Sequence, residues 1–132
     1  DIAHTSYQAI VDAFNERVDQ MLDHGAYTAI ASHDLPIIKH ALNSLETRDL
    51  KPINSGGIAD RRKGKGPGYE FQMLLGVRGN IRRKLATQGH RTRIYVPYGS
   101  RWYEYGLRRL RENPDVAWHI TKSILMPWTN RR

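Results

Sequence analysis

The chain has no cysteine. That excludes disulfide scaffolds, zinc knuckles, thiol catalysis and iron–sulfur clusters together. It has no uninterrupted apolar stretch near the roughly 20 residues that a membrane-spanning helix requires. Metal-site spacing is missing too: His4, His24, His40, His90 and His119 stand at no ligand-like distance from one another or from carboxylates, so no metal is expected. Basic side chains are scarce at the start. Residues 1–47 hold two against seven acidic ones (net −5), whereas 48–132 hold nineteen against six (net +13), which together make +8. Such asymmetry points to an anionic partner, which could be nucleic acid, a phosphate-bearing cofactor or a carboxylate substrate. The opening Asp1–Thr5 carries no signal-peptide pattern, and a first residue other than Met reads as a piece of something longer.

What is present is enough for a core. Over 132 residues, 39% are apolar and 26% charged, the composition of one soluble domain or part of one. Tyr7, Ile10, Val11, Phe14, Val18, Met21 and Leu22 recur at helical spacing behind Thr5 or Ser6 as cap, with Gly25 as the stop. Ala26–Ala31 reads as a strand covered on both faces. Asp34 before Leu35-Pro36 starts a second helix, which Ile37, Ile38, Ala41, Leu42 and Leu45 continue to about Glu46. Residues 47–68 are too rich in glycine and basic side chains for an element and form an exposed loop. Tyr69–Leu75 is the second strand, closed by Gly76. Asn80 caps a short helix that ends near Gly89, and Arg91–Val96 is the third strand. A helix from about Arg101 to Asn113 and an amphipathic stretch Val116–Met126 complete the chain. Helix and strand alternate, which predicts the α/β class with parallel strands. Three strands leave two open edges and too little sheet for four helices, so a fragment of a larger fold is expected.

In α/β folds chemistry sits beyond the carboxyl ends of the strands. Of the three ends here, Ser32-His33-Asp34 alone has adjacent hydrogen-bonding side chains. They could hold a polar cofactor edge, or simply cap the next helix with His33 turned to water. They cannot converge as a Ser-His-Asp triad, being neighbours on one strand end. The other dense stretch is Arg101–Glu112. On a helix, Tyr105, Arg108, Arg109 and Glu112 share one stripe. Two adjacent guanidinium groups beside an aromatic ring suit capture of a planar carboxylate, while a solvated face with an Arg108–Glu112 pair has the same spacing. Tyr105 and Tyr95 supply an apolar wall, which favours the first. The run Arg61–Lys65 lacks the helix start of a phosphate-cradling loop.

The segments Tyr69–Val77, Arg93–Gly99 and Trp102–Pro114 together resemble the carboxyl-terminal end of the proline dehydrogenases, in their monofunctional bacterial form. Ala31-Ser32-His33-Asp34 is similar to that family's Ala-Thr-His-Asp/Asn segment, with Ser32 in place of the usual Thr. The likeness runs from about residue 5 to 114. It implies a partial (β/α)8 TIM barrel, about strands six to eight with their helices, the whole chain 1–132 belonging to one barrel domain. It implies oxidation of L-proline to 1-pyrroline-5-carboxylate with FAD, and electrons passed to a quinone. Arg108 and Arg109 fall on the pair that binds the proline carboxylate. Tyr95, Tyr105 and Leu74 fall on the wall around the substrate ring. Ser32 and His33 fall on FAD contacts, with Asp34 and Glu112 beside them. No general acid or base is identified in this chain, and the family's substrate-side lysine and aspartate lie on earlier strands. The implied location is cytoplasmic, with peripheral contact at the inner face of the membrane, and the chain alone is expected to be inactive. No nucleic acid partner follows from the resemblance. The competing class is a small basic nucleic-acid-binding module, resting on the +13 of residues 48–132. A third option is another barrel enzyme with a carboxylate substrate.

Overall fold

The computed structural model describes residues 3–52, 68–96 and 98–100, together with 104, 107, 108 and 111. The basic stretch Arg61–Lys65, the tail 115–132, and Tyr105, Arg109 and Glu112 lie outside the described residues.

Among the described residues six continuous elements alternate: α1 (Tyr7–Asp23), β1 (Tyr27–Ala31), α2 (Leu35–Thr47), β2 (Gly68–Leu74), α3 (Gly79–Thr87) and β3 (Thr92–Tyr95). Ser6 caps α1, its side chain accepting from the Ala9 N–H at 3.2 Å. The helix presents Val11, Val18 and Leu22 to the core. Tyr7, Ile10 and Met21, expected on the same face, are exposed, because the apolar stripe is wider than the surface α2 and β1 cover. Past His24, Gly25 takes φ +64, a left-handed conformation that favours glycine and ends the helix. In α2, Ile37, Ile38, Ala41, Ser44 and Leu45 are buried.

Two caps differ from expectation. Asp34 occupies the cap position of α2 but makes no capping bond with its side chain. Pro36 removes one of the donors such a cap would use, and the carboxylate instead accepts from the Tyr7 hydroxyl at 2.6 Å. Asn80 lies inside α3 rather than at its cap. The left-handed backbone at Arg78 (φ 43, ψ 51) turns the chain into the helix early, so Gly79 is its first residue.

The strands form one parallel sheet in the order β1-β2-β3. Ala31 pairs with Gln72, Gln72 with Arg93 and Leu74 with Tyr95. Alternation then separates two faces. Ile30, Tyr69, Phe71 and Met73 join Val18, Leu22, Ile38, Ala41, Leu45 and Leu85 in the core, so the helices cover that face. Tyr27, Ala29, Ala31, Glu70, Gln72, Leu74, Arg93 and Tyr95 share the opposite one. The expectation that β1 is covered on both sides is therefore corrected. Thr28 and Ile30 are buried and Ala29 and Ala31 exposed, because the described helices pack on one side only. β2 also ends one residue early, at Leu74, and Leu75 is exposed.

A polar clasp fastens α1 to α2. The Ser44 hydroxyl donates to Asp19 Oδ1 at 2.6 Å, His40 Nε2 lies 2.8 Å from Oδ2, and Arg48 Nε reaches Asp23 at 2.7 Å. Burial pushes the Asp19 carboxyl up, but the bonds from Ser44 and His40 outweigh it and hold the value below the ordinary range. Since the serine donates to the aspartate, this is a structural tie and not a nucleophile–base pair.

At the amino-terminal end of the sheet, Tyr69 is fully buried and its hydroxyl lies 2.8 Å from His90 Nδ1. Burial raises the tyrosine to about 12, so the phenol keeps its proton throughout the physiological range. Burial also lowers the His90 pKa. The folded state thus keeps His90 neutral while an unfolded chain protonates near the ordinary value, about 6.5. Stability from this group should be complete above that value and lost as pH falls through the lower folded one. Denaturation midpoints measured across that range should flatten in His90→Gln, and an unaltered slope would remove His90 as the cause.

Candidate functional site

The carboxyl ends of the three strands bring five of the sequence-expected residues together. Ser32, His33 and Asp34 follow β1, Leu74 closes β2, and Tyr95 closes β3 as the register partner of Leu74. The turn after β1 is built by side chains. The Asp34 N–H donates to Ser32 Oγ at 3.0 Å, and the Tyr7 hydroxyl, from the first turn of α1, holds the Asp34 carboxylate. That bond raises the Tyr7 pKa, with burial second. His33 is not turned to water. Its Nε2 accepts the backbone N–H of Leu74 at 2.8 Å, so the ring spans from the end of one strand to the end of the next.

Tyr95 and Tyr98 stand half or more exposed at this end, and Val96, next to Tyr95, and Leu75, next to Leu74, are exposed as well. Arg108 is an exposed residue on helical backbone. Its companions Tyr105, Arg109 and Glu112 fall outside the described residues, so the structure neither joins them to the strand ends nor separates them.

Below these residues on the same sheet face lies a polar layer to which the sequence reading assigns no role. Glu70, 2% exposed, accepts from Arg93 Nε at 2.7 Å and Nη2 at 2.9 Å, from Gln72 Nε2 at 2.6 Å and from the Tyr27 hydroxyl at 3.0 Å. The two-pronged guanidinium contact is the strong form of the pair. It holds the carboxyl down at about 2 against the upward pull of burial. Its signal was available in the sequence: a lone carboxylate at alternate spacing inside an apolar strand, and an arginine on the next strand. Tyr7 gave no comparable signal, because its partner is 27 residues away.

Taken together, the strand ends offer a hydroxyl, an imidazole, an aliphatic wall and a phenol ring over a charged, cross-braced layer. That set can bind a partly apolar ligand and a polar edge. Among the described residues no group of three or more His, Asp or Glu is placed to hold a metal ion, and no helix is long and apolar enough to cross a membrane.

Comparison with known proteins identifies the family. The family model described as proline dehydrogenase matches residues 2–121. Proline dehydrogenase 1 of Bacillus subtilis subsp. natto is 38% identical over 112 residues, covering 85% of this chain and 32% of that protein. Proline dehydrogenase of Deinococcus radiodurans is 34% identical over 125 residues, covering 94% of this chain and 36% of that protein. Proline dehydrogenase 2 of Bacillus subtilis strain 168 is 34% identical over 114 residues, covering 86% and 33%. The chain spans about a third of the length of the curated relatives it matches. On this evidence it belongs to the proline dehydrogenase family.

Proposed function

We propose that this chain is the carboxyl-terminal portion, strands six to eight with their helices, of a (β/α)8 barrel that oxidises L-proline to 1-pyrroline-5-carboxylate. β1, β2 and β3 would be those strands, residues 1–132 would belong to one domain, and the exposed loop expected over 47–68 would be confined between α2, which ends at Thr47, and β2, which begins at the buried Gly68. The observation that carries the reading is the meeting of Ser32, His33, Leu74 and Tyr95 at the carboxyl ends of adjoining parallel strands, the face where barrel enzymes hold substrate.

The residues present suit a flavin. Ser32 Oγ already accepts the Asp34 N–H, which leaves the hydroxyl proton to be offered outward. His33 Nε2 is occupied as an acceptor, so the proton of the neutral ring is on Nδ1. A hydroxyl and an imidazole at a strand tip match the polar edge of FAD, with Asp34 and Glu112 beside them. Bound flavin would supply the acceptor for the hydride leaving the carbon next to the proline nitrogen. The chain's own part is placement. Arg108 and Arg109 bind the carboxylate as a guanidinium pair, and Leu74, Tyr95 and Tyr105 wall the ring and keep water from it. Electrons would pass on to a quinone, which suits a cytoplasmic protein touching the inner face of a membrane.

In the intact protein, proline should reduce an electron-accepting dye, and the purified protein should show flavin absorbance. Arg108→Met and Arg109→Met should each keep the flavin and weaken proline. Loss of one partner of such a contact costs on the order of 2–5 kcal/mol, a rise in KM of at least roughly 30-fold. An unchanged KM in both variants would refute the carboxylate role.

A further inference from the structure

We infer that His33 is a positioning residue for the proline side of the site, acting through the backbone of Leu74. The inference rests on the function proposed above and deepens it, since contact with the cofactor alone would give His33 no part in substrate affinity. The paired run of β1 against β2 ends at Ala31 and Gln72, so the Leu74 N–H lies beyond the last strand residue of β1. The imidazole supplies the acceptor there, at 2.8 Å. A backbone N–H can only donate, so Nε2 carries the lone pair and the ring's proton is on Nδ1. One side chain thus performs two jobs with two atoms: Nε2 fixes where the substrate wall stands, and Nδ1–H is aimed by the same bond. Leu74 in turn is paired with Tyr95, and the next N–H, of Leu75, donates to the Tyr95 carbonyl at 3.0 Å. A slack Leu74 therefore loosens both wall residues described at the strand ends.

The two atoms can be separated by substitution. A glutamine ends its side chain at the reach of Nε2, an asparagine at the reach of Nδ1. In the intact protein, His33→Asn should retain flavin, raise KM for proline about tenfold, and speed amide exchange at Leu74 by a similar factor, as expected when a part-buried donor loses its partner. His33→Gln should keep Leu74 protected and KM for proline in its flavin-loaded fraction near that of the unsubstituted protein, and should lose flavin more readily. Unchanged KM and Leu74 exchange in His33→Asn would overturn the inference, as would an equal rise of KM in His33→Gln with Leu74 still protected. If His33→Asn does not fold, His33→Gln decides by that same pair of measurements. Lack of any proline-dependent dye reduction in the unsubstituted protein would instead sink the proposed function, with the exchange measurement still reporting on the His33–Leu74 bond.

Discussion

Phe71→Ala in the intact protein should lower the free energy of unfolding by about 3–5 kcal/mol, the cost of an emptied aromatic site in a packed core. Phe71 is fully buried at the centre of the sheet, beside Ile30 on β1 and Thr92 on β3. Its ring meets Tyr69 edge to face at 6.0 Å and His90 at 5.6 Å, and such pairs add about 0.5–1.5 kcal/mol beyond the area they bury. Relaxation cannot refill the space, because the neighbours are held from two directions. Tyr69 is tied to His90 by its hydroxyl, and Phe71 shares one buried cluster with Ile38, Ala41 and Leu45 of α2. Phe71→Leu, which returns most of the volume, should recover more than half of the loss. Urea midpoints at constant slope are the measurement. A shift worth less than about 1 kcal/mol for the alanine variant would mean that the core closes without the ring.

Much of this was legible in the residues, for reasons that differ by element. α1 and α2 declare themselves because a one-sided helix writes its period into 13–17 residues and carries its own cap signals. The strands are legible as apolar runs between turns, yet coverage of their second face is not, since alanine fits either an open or a closed surface. That is why β1 was expected to be buried on both sides and is not. Asp34 misleads for another reason. A carboxylate ahead of Leu-Pro is a sound cap by local rules, and only the fold brings the Tyr7 hydroxyl from 27 residues away to claim it. At the site, residue types were enough to single out Ser32, His33 and Tyr95, while Leu74 entered only through the family resemblance. Their mutual contacts were not, because the bond from Leu74 to His33 crosses 41 residues and uses a backbone atom, which has no identity in a sequence. The Glu70–Arg93 pair lay between these cases, visible as two charges in apolar strands but meaningless until the register put Gln72 opposite Arg93.

Removing that carboxylate has the second large expected effect. Glu70→Ala strands three donors at once: the Arg93 guanidinium, the Gln72 amide and the Tyr27 hydroxyl. Breaking a buried pair from one side costs about 3–5 kcal/mol. Arg93 is itself 65% exposed, so part of its charge returns to water and the lower half of that range is expected. The single variants Glu70→Ala and Arg93→Ala should therefore sum to more than the double variant, because each leaves the other's partner unmatched. Acid provides an independent reading. The guanidinium fork holds Glu70 at about 2 in the folded state, against an ordinary 4.5. A carboxylate depressed by folding stabilises fully above its unfolded value and ceases to do so as pH falls through the folded one. Roughly 3 kcal/mol should thus be present above pH 4.5 and disappear toward pH 2. Asp19 and Asp23 are also held low and share this window, so the quantity to follow is the difference between the unsubstituted protein and Glu70→Gln. The two stability curves should converge as acid is added. Curves that stay parallel from neutral pH to 2 would show that Glu70 is already protonated in the fold and that the Arg93 fork does not set its charge.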